Sequence, residues 1–341
     1  MTSRPVGIIG GGAWGTALAI HLGGRGVPVR LFMRDPELVL RMRRRRDNPV
    51  YLPGIEVPAE VLPTADLAEA VDRAAIVLLA VPTSYARPVY AALKPVLAAD
   101  VPLVVAAKGI EETTLLLPSQ VVVASLGPGT PVAAVSGPSF AEEVARGVPT
   151  AIVVAAADPA LAVTVQAQLS GDRLRLYTST DVVGVQVAAA LKNVVAIAAG
   201  IVDGLGFGHN TVAGLITRGL AEMRRLGVAL GASAETFSGL SGLGDLVLTC
   251  TGALSRNRQV GQALGRGERL ADVTARMRHV AEGVATTRSA RDLARRHEVS
   301  MPIVEEVHRI LYEEGDPRDA VRRLMTRPLG AEDPTEARER A

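Results

Sequence analysis

Lysine is almost absent from this 341-residue chain: Lys94, Lys108 and Lys192 stand among 37 basic residues, and the rest are arginine. Arginine stays charged and forks its donors, whereas lysine is a compact ammonium whose pKa falls on burial, so arginine does not replace it where a proton must move. Lys94, in AALKPVL, reads as a solvated helix-face residue and serves as an internal control. Lys108 ends the apolar run 102–107, and Lys192 sits inside VGVQVAAALKNVVAIAAG, where an unpaired cation is strongly penalised. Desolvation there lowers a lysine pKa toward the range a general acid or base needs, making Lys192 the leading catalytic candidate. Its alternative is a salt bridge between two domains. Lys108 lies at a strand end, where doubly wound sheets gather ligands, or else points to water.

Asp245, in GLSGLGDLVLTC, is a carboxylate in an apolar, glycine-bracketed segment and needs a partner. A lysine is the natural one, either tuning Lys192 or forming a structural ion pair. The run Ser255-Arg256-Asn257-Arg258 opens the helical RQVGQALG and offers a phosphate or carboxylate cradle; a plain N-cap with solvent arginines is the other reading. Ser139 and Glu142 in SGPSFAE have capping-box spacing, so Ser139 starts a helix, approaches a substrate, or does both. Val280-Ala281-Glu282-Gly283 reads only as a turn between helices.

Gly10-Gly11-Gly12-Ala13-Trp14-Gly15 fits G-x-G-x-x-G between a strand and a helix. Gly10 makes the turn, Gly12 lets a pyrophosphate approach the backbone and Gly15 lets helix and strand pack closely. Trp14 walls the cofactor channel or simply packs. The second strand ends Met33-Arg34-Asp35. Arg34 suits a 2′-phosphate and favours NADPH, while Asp35, one position later, suits free ribose hydroxyls and NADH.

The elements that must position these residues follow from the apolar pattern. Unbroken apolar runs at 6–10, 29–33, 75–81, 102–108, 131–137, 150–157 and 174–179 suit strands covered by helices on both faces. After residue 181 the pattern becomes helical, over 182–201, 209–229, 256–265, 284–297 and 303–313. The expected fold is α/β, a Rossmann-type doubly wound sheet over residues 1–180 followed by an all-helical substrate and catalytic domain over 181–328. A charged, disordered tail is expected over 329–341.

Net charge is only +2 and aromatics are 3%, with no basic stripe interleaved with aromatics, which argues against a nucleic-acid partner. The arginine-rich run from Arg41 to Arg46 reads as a solvated helix face. The single cysteine, Cys250, excludes an internal disulfide framework and fits a reducing compartment. His21, His209, His279, His297 and His308 show no metal-ligand spacing, so no metal is expected. The first strand begins by Val6, which leaves no room for a signal peptide, and the stretch 182–201 is interrupted by Gln186, Lys192 and Asn193. It reads as a buried helix, giving a cytoplasmic protein without membrane insertion.

The segments GGGAWGTALA, NPVYLPG, AAKGIE, SGPSFAEEVARGVPT, ALKNVVAIAAGIVDGLGFGHNT, GLGDLVLTC and SRNR occur in that order. From about residue 5 to 325 the chain resembles the bacterial-type NAD(P)-dependent glycerol-3-phosphate dehydrogenases. The resemblance implies reversible hydride transfer between a nicotinamide, NADPH or NADH, and C2 of dihydroxyacetone phosphate, giving sn-glycerol 3-phosphate for phospholipid synthesis. It implies Lys192 as the proton donor in reduction, with Lys108, Gly137, Ser139, Asp245, Ser255, Arg256 and Asn257 around the substrate. It further implies cofactor contacts at Trp14, Arg34, Lys108, Ala141, Arg256, Val280 and Glu282, and a homodimer. Some relatives carry serine at Ala13 and a basic residue at Val50, so no role passes to either position. A 6-phosphogluconate or 3-hydroxyisobutyrate type enzyme and a catalytically silent NADP-binding protein are the competing readings.

Overall fold

The computed structural model describes residues 4–277 and 281–329. Val280 and residues 330–341, with the expectations placed on them, lie outside the described residues.

The strands are β1 (Val6–Ile9), β2 (Val29–Phe32), β3 (Asp47–Asn48), β4 (Leu52–Glu56), β5 (Val61–Thr64), β6 (Ile76–Leu79), β7 (Leu103–Val105), β8 (Val132–Ser136), β9 (Thr150–Ala156) and β10 (Leu174–Ser179). Eight form one sheet in the order β10-β9-β8-β7-β6-β1-β2-β5, and β3 and β4 form a separate hairpin. Within the eight-stranded sheet the pairings are parallel except β8 with β9. The order reverses between β1 and β6, and this is where doubly wound sheets open a crevice at their carboxyl ends. The β1 and β6 segments VGII and IVLL are fully buried, as continuous apolar runs between two helical layers should be.

Three of the strands, β5 and the two of the hairpin, were not expected. β5 is a short edge strand containing Pro63, a residue whose missing N–H is tolerated only at an edge or bulge. The hairpin of β3 and β4 lies in the NPVYLPG region. The arginine-rich run is also corrected, because it does more than face solvent. Arg43 Nε donates to Pro63 O at 2.7 Å, and Arg46 donates to Val57 O and Val61 O, both at 3.0 Å. These arginines fasten the Pro36–Arg45 helix to the sheet edge. Lys94 is exposed just after the Ala86–Leu93 helix.

Beyond β10 the described residues form helices without strands. The Val182–Gly204 helix is their axis, buried from Gly184 to Val202, with Asp181 accepting from the Gly184 N–H at 2.8 Å as its N-cap. Among the described residues it is the one helix long and apolar enough to span a membrane, and its apolar window lies wholly inside the protein. It crosses the Arg256–Gly265 helix through glycines: a Cβ on Gly200 would strike the Arg258 carbonyl, and one on Gly261 the Ile197 carbonyl. That close crossing carries the Ser255 end of one helix to the Lys192 level of the other. Further helices at Asp245–Thr251, Leu270–Arg276 and Pro317–Met325 complete the shell.

Candidate active site

A cleft of about 380 Å³ lies where the carboxyl ends of β1, β7 and β8 meet the helical half. Lys108, Ser139, Lys192, Asp245, Arg256 and Glu282 are among its lining residues. A second cavity, of about 410 Å³, lies between Pro302, Arg309 and Arg323, but it holds no buried lysine.

Asp245 is 1% exposed at the first turn of its helix, and it meets both candidate lysines. Lys192 Nζ donates to Oδ1 at 2.6 Å and to Thr249 Oγ1 at 2.8 Å. Lys108 Nζ donates to Oδ2 at 2.8 Å and to the Gly137 carbonyl at 3.1 Å. Thr249, four residues after Asp245, closes the arrangement by donating to the Asp245 carbonyl at 2.6 Å. Two ammonium groups thus share one carboxylate, leaving a net positive charge in a buried place.

Electrostatics follow from that count. Burial lowers Lys192 to about 8, against the attraction of Asp245 and with the repulsion of Lys108. Burial would raise Asp245, but the two ammonium groups outweigh it and hold the carboxyl below its usual range. Lys192 is thus poised to titrate around pH 8, while Asp245 stays a carboxylate.

A second network lies beside Arg256 in the same cleft. Ser255 caps the Arg256–Gly265 helix by accepting from the Arg258 N–H at 3.2 Å. Asn257 Nδ2 donates to Asn193 Oδ1 at 2.9 Å, while its Oδ1 accepts the Gly283 N–H at 3.0 Å. Asn193 Nδ2 then donates to the Lys108 carbonyl at 3.2 Å. Arg258 leaves the cleft to pair with Asp203 at 2.7 Å. The Arg256 guanidinium lines the cleft without a hydrogen bond among the described residues, so its fork of donors is available to an anion.

Sequence expectations meet this geometry unevenly. The capping box of Ser139 with Glu142 does not form: Phe140 occupies the N-cap position, Ser139 Oγ donates to the Gly137 carbonyl at 2.9 Å and Glu142 pairs with Arg146. The Ser139 side chain still lines the cleft, as does Ala141, whereas Gly137 contributes its carbonyl from behind. Glu282 opens the Glu282–Arg296 helix instead of sitting in a turn, and its Oε1 accepts the Thr83 N–H at 3.3 Å. Asp35 caps the Pro36–Arg45 helix by accepting from the Glu37 and Leu38 N–H groups. Arg34, exposed at the end of β2, makes no hydrogen bond or ion pair among the described residues. Thr249 and the hairpin residue Tyr51 were missed; the i, i+4 spacing of Asp245 and Thr249 was the available signal for the first.

The glycine turn suits a dinucleotide. Gly10 has φ +116°, and a Cβ there would meet the Ala80 carbonyl at 2.7 Å. A Cβ on Gly15 would collide with the Gly10 carbonyl, yet one on Gly12 would meet no atom within 4 Å. Gly10 and Gly15 are thus demanded by the protein, while Gly12 faces open space. Trp14, which lines the cleft, keeps a buried Nε1 donor without a partner among the described residues.

Models for the N-terminus and C-terminus of NAD-dependent glycerol-3-phosphate dehydrogenase match residues 5–162 and 181–322. The chain belongs to the NAD-dependent glycerol-3-phosphate dehydrogenase family. It is 53% identical over 332 residues to the glycerol-3-phosphate dehydrogenase (NAD(P)+) of Geobacter sulfurreducens, covering 97% of this chain and 99% of the relative. The Koribacter versatilis protein of the same name is 51% identical, with coverages of 96% and 98%. The crystal structure of glycerol-3-phosphate dehydrogenase from Coxiella burnetii superposes with a TM-score of 0.92 at 39% identity, covering 96% of this chain and all of that one.

Proposed function

We propose that this family member reduces dihydroxyacetone phosphate to sn-glycerol 3-phosphate with NADPH, reversibly and in the cytoplasm, supplying glycerol phosphate for phospholipid synthesis. The carrying observation is the Lys192–Asp245–Lys108 cluster, which shares its cleft with Arg256, a guanidinium without a hydrogen bond among the described residues, and with Ala13 and Trp14 of the glycine turn. Gly10, Gly12, Gly15, Trp14, Arg34, Ala141 and Glu282 would hold the dinucleotide, which supplies a hydride to the carbonyl carbon when bound. Arg34 would take the 2′-phosphate, a reading favoured by the commitment of Asp35 to its helix cap.

Residues of this chain do the rest. Arg256, with the Ser255 hydroxyl, binds the substrate phosphate through charge-assisted hydrogen bonds. Lys108 fixes the other end of the three-carbon chain, while Asn257, tied to Asn193 and to the Gly283 N–H, stands beside Arg256 at the phosphate end. Lys192, as ammonium, aims at the ketone oxygen and gives up its proton as that oxygen gains negative charge. In the reverse direction neutral Lys192 accepts the hydroxyl proton. Asp245 keeps the Lys192 Nζ aimed, and Lys108 keeps the carboxylate ionised. Binding of the remote phosphate orients the reacting carbon and separates phosphorylated from plain ketones.

The reading divides the chain into a dinucleotide-binding part to residue 180 and a substrate part from 181 to 328, and a homodimer is part of the proposal. Its test is nicotinamide absorbance with dihydroxyacetone phosphate against unphosphorylated dihydroxyacetone. Turnover of the phosphate ester far faster than that of the plain ketone supports it. Equal turnover of both ketones, or a preference for a 3-hydroxy acid, overturns it.

A further inference from the structure

Asn48 lies at the end of β3, 0% exposed, and every polar atom of its side chain is engaged. Its Nδ2 donates to the Gly11 carbonyl at 3.1 Å and to Thr16 Oγ1 at 2.9 Å. Its Oδ1 accepts the Tyr51 N–H at 3.2 Å. Thr16 Oγ1 sends a second donor to the same Gly11 carbonyl at 3.2 Å. One fully buried side chain therefore grips the middle of the glycine turn with one end and the tip of the hairpin with the other.

The consequence comes from the planarity of the peptide bond. No peptide in the described chain is cis, so the Gly12 N–H points away from the Gly11 carbonyl across the shared plane. Two donors on that carbonyl fix the plane, and hence the direction of the Gly12 N–H. That N–H donates to no described residue, and the space beside Gly12 is open. Left unheld, a glycine-glycine peptide rotates readily, because neither residue has a Cβ to restrict it. The opposite end of Asn48 ties down Tyr51, which with Leu52 and Pro53 lines the same cleft.

We infer that Asn48 is a positioning residue for the dinucleotide, presetting the pyrophosphate-facing amide of Gly12 and tethering the hairpin that borders the cleft. The inference rests on the cofactor reading above, and it extends that reading to a residue outside the glycine motif and the lysine site. Asn48 touches neither substrate nor reacting atoms, so its contribution belongs in cofactor affinity and not in the chemical step.

The test is NADPH binding, by fluorescence titration of the full chain, alongside steady-state kinetics. Asn48→Asp keeps the size and the acceptor for Tyr51 but sets an oxygen against the Gly11 carbonyl. It should raise the NADPH dissociation constant about tenfold or more. The kcat at saturating NADPH and the KM for dihydroxyacetone phosphate should stay within about twofold of the parent values. Thr16→Ala removes the second donor to the same carbonyl and should move the same constant in the same direction, so the test survives if Asn48→Asp fails to fold. An unchanged NADPH constant in the folded variants overturns the inference, as does a fall in kcat in step with affinity. Parent protein that binds neither NADPH nor NADH would remove the cofactor reading itself, an outcome distinct from normal parent binding with unaffected variants.

Discussion

Lys192 and Asp245, 53 residues apart in sequence, meet at 2.6 Å in the interior of the protein, and the opposite oxygen of the same carboxylate holds Lys108 at 2.8 Å. A one-to-one buried pair would neutralise itself. Here the second lysine shares the carboxylate, so Lys192 is oriented by Asp245 without being fully compensated by it. Burial then brings its pKa to about 8, from which proton donation and acceptance are both accessible.

Replacing Asp245 tests that division of labour. Asp245 raises the pKa of Lys192, so Asp245→Asn should lower it further and move the pH limit of reduction to lower pH. Two ammonium groups would also lose their partner, and thermal or denaturant unfolding should show a loss of about 3–5 kcal/mol.

Arg256 should act chiefly on the substrate phosphate. Arg256→Ala is expected to raise the KM for dihydroxyacetone phosphate by about a hundredfold, from loss of a charge-assisted fork. Slow turnover of unphosphorylated dihydroxyacetone should change by less than about twofold. Arg256→Lys should recover only part of the loss, because a point charge does not replace a bidentate donor. Steady-state kinetics on both ketones distinguishes these outcomes.

Arg34 stands exposed with no partner among the described residues, next to a carboxylate already committed to capping. Arg34→Ala should weaken NADPH binding by about tenfold while leaving NADH within about twofold. Parallel titrations with the two dinucleotides read this directly.

Stability carries its own pH signature away from the cleft. Glu222 is 4% exposed and accepts the Ile303 N–H at 2.8 Å, and burial raises its pKa to about 7. A folded-state pKa above the unfolded value means the folded chain binds more protons between pH 4.5 and about 7. This contribution is full below the unfolded pKa and is lost as pH rises through about 7, by up to roughly 3 kcal/mol. Glu222→Gln should flatten that part of the curve in denaturant unfolding followed across pH.

The sequence made legible whatever depends on local pattern. Continuous apolar runs such as VGII and IVLL, and the long run around Lys192, became buried strands and a buried helix. Local pattern failed where partners decide. β5 is four residues with a proline and acquires its strand character only by pairing with β2. Nothing local marks β9 as antiparallel to β8. The need of Asp245 for a lysine was evident from its apolar setting, but its sharing between Lys108 and Lys192 depends on contacts across 137 and 53 residues. The capping alternative for Ser139 fails for the converse reason: its spacing to Glu142 suggests a cap, yet the chain turns so that its hydroxyl donates to the carbonyl of Gly137.

The most direct measurement is the pH dependence of single-turnover NADPH oxidation by dihydroxyacetone phosphate, for the parent protein and Lys192→Ala. Reduction consumes the ammonium proton, so the parent rate should be flat at low pH and fall as pH rises through about 8, with oxidation of glycerol 3-phosphate rising over the same range. Lys192→Ala should still bind NADPH, lose about a thousandfold or more in rate and lose that pH limit. A variant that retains its rate within about tenfold, or that keeps the same fall near pH 8, would contradict the assignment of the proton to Lys192.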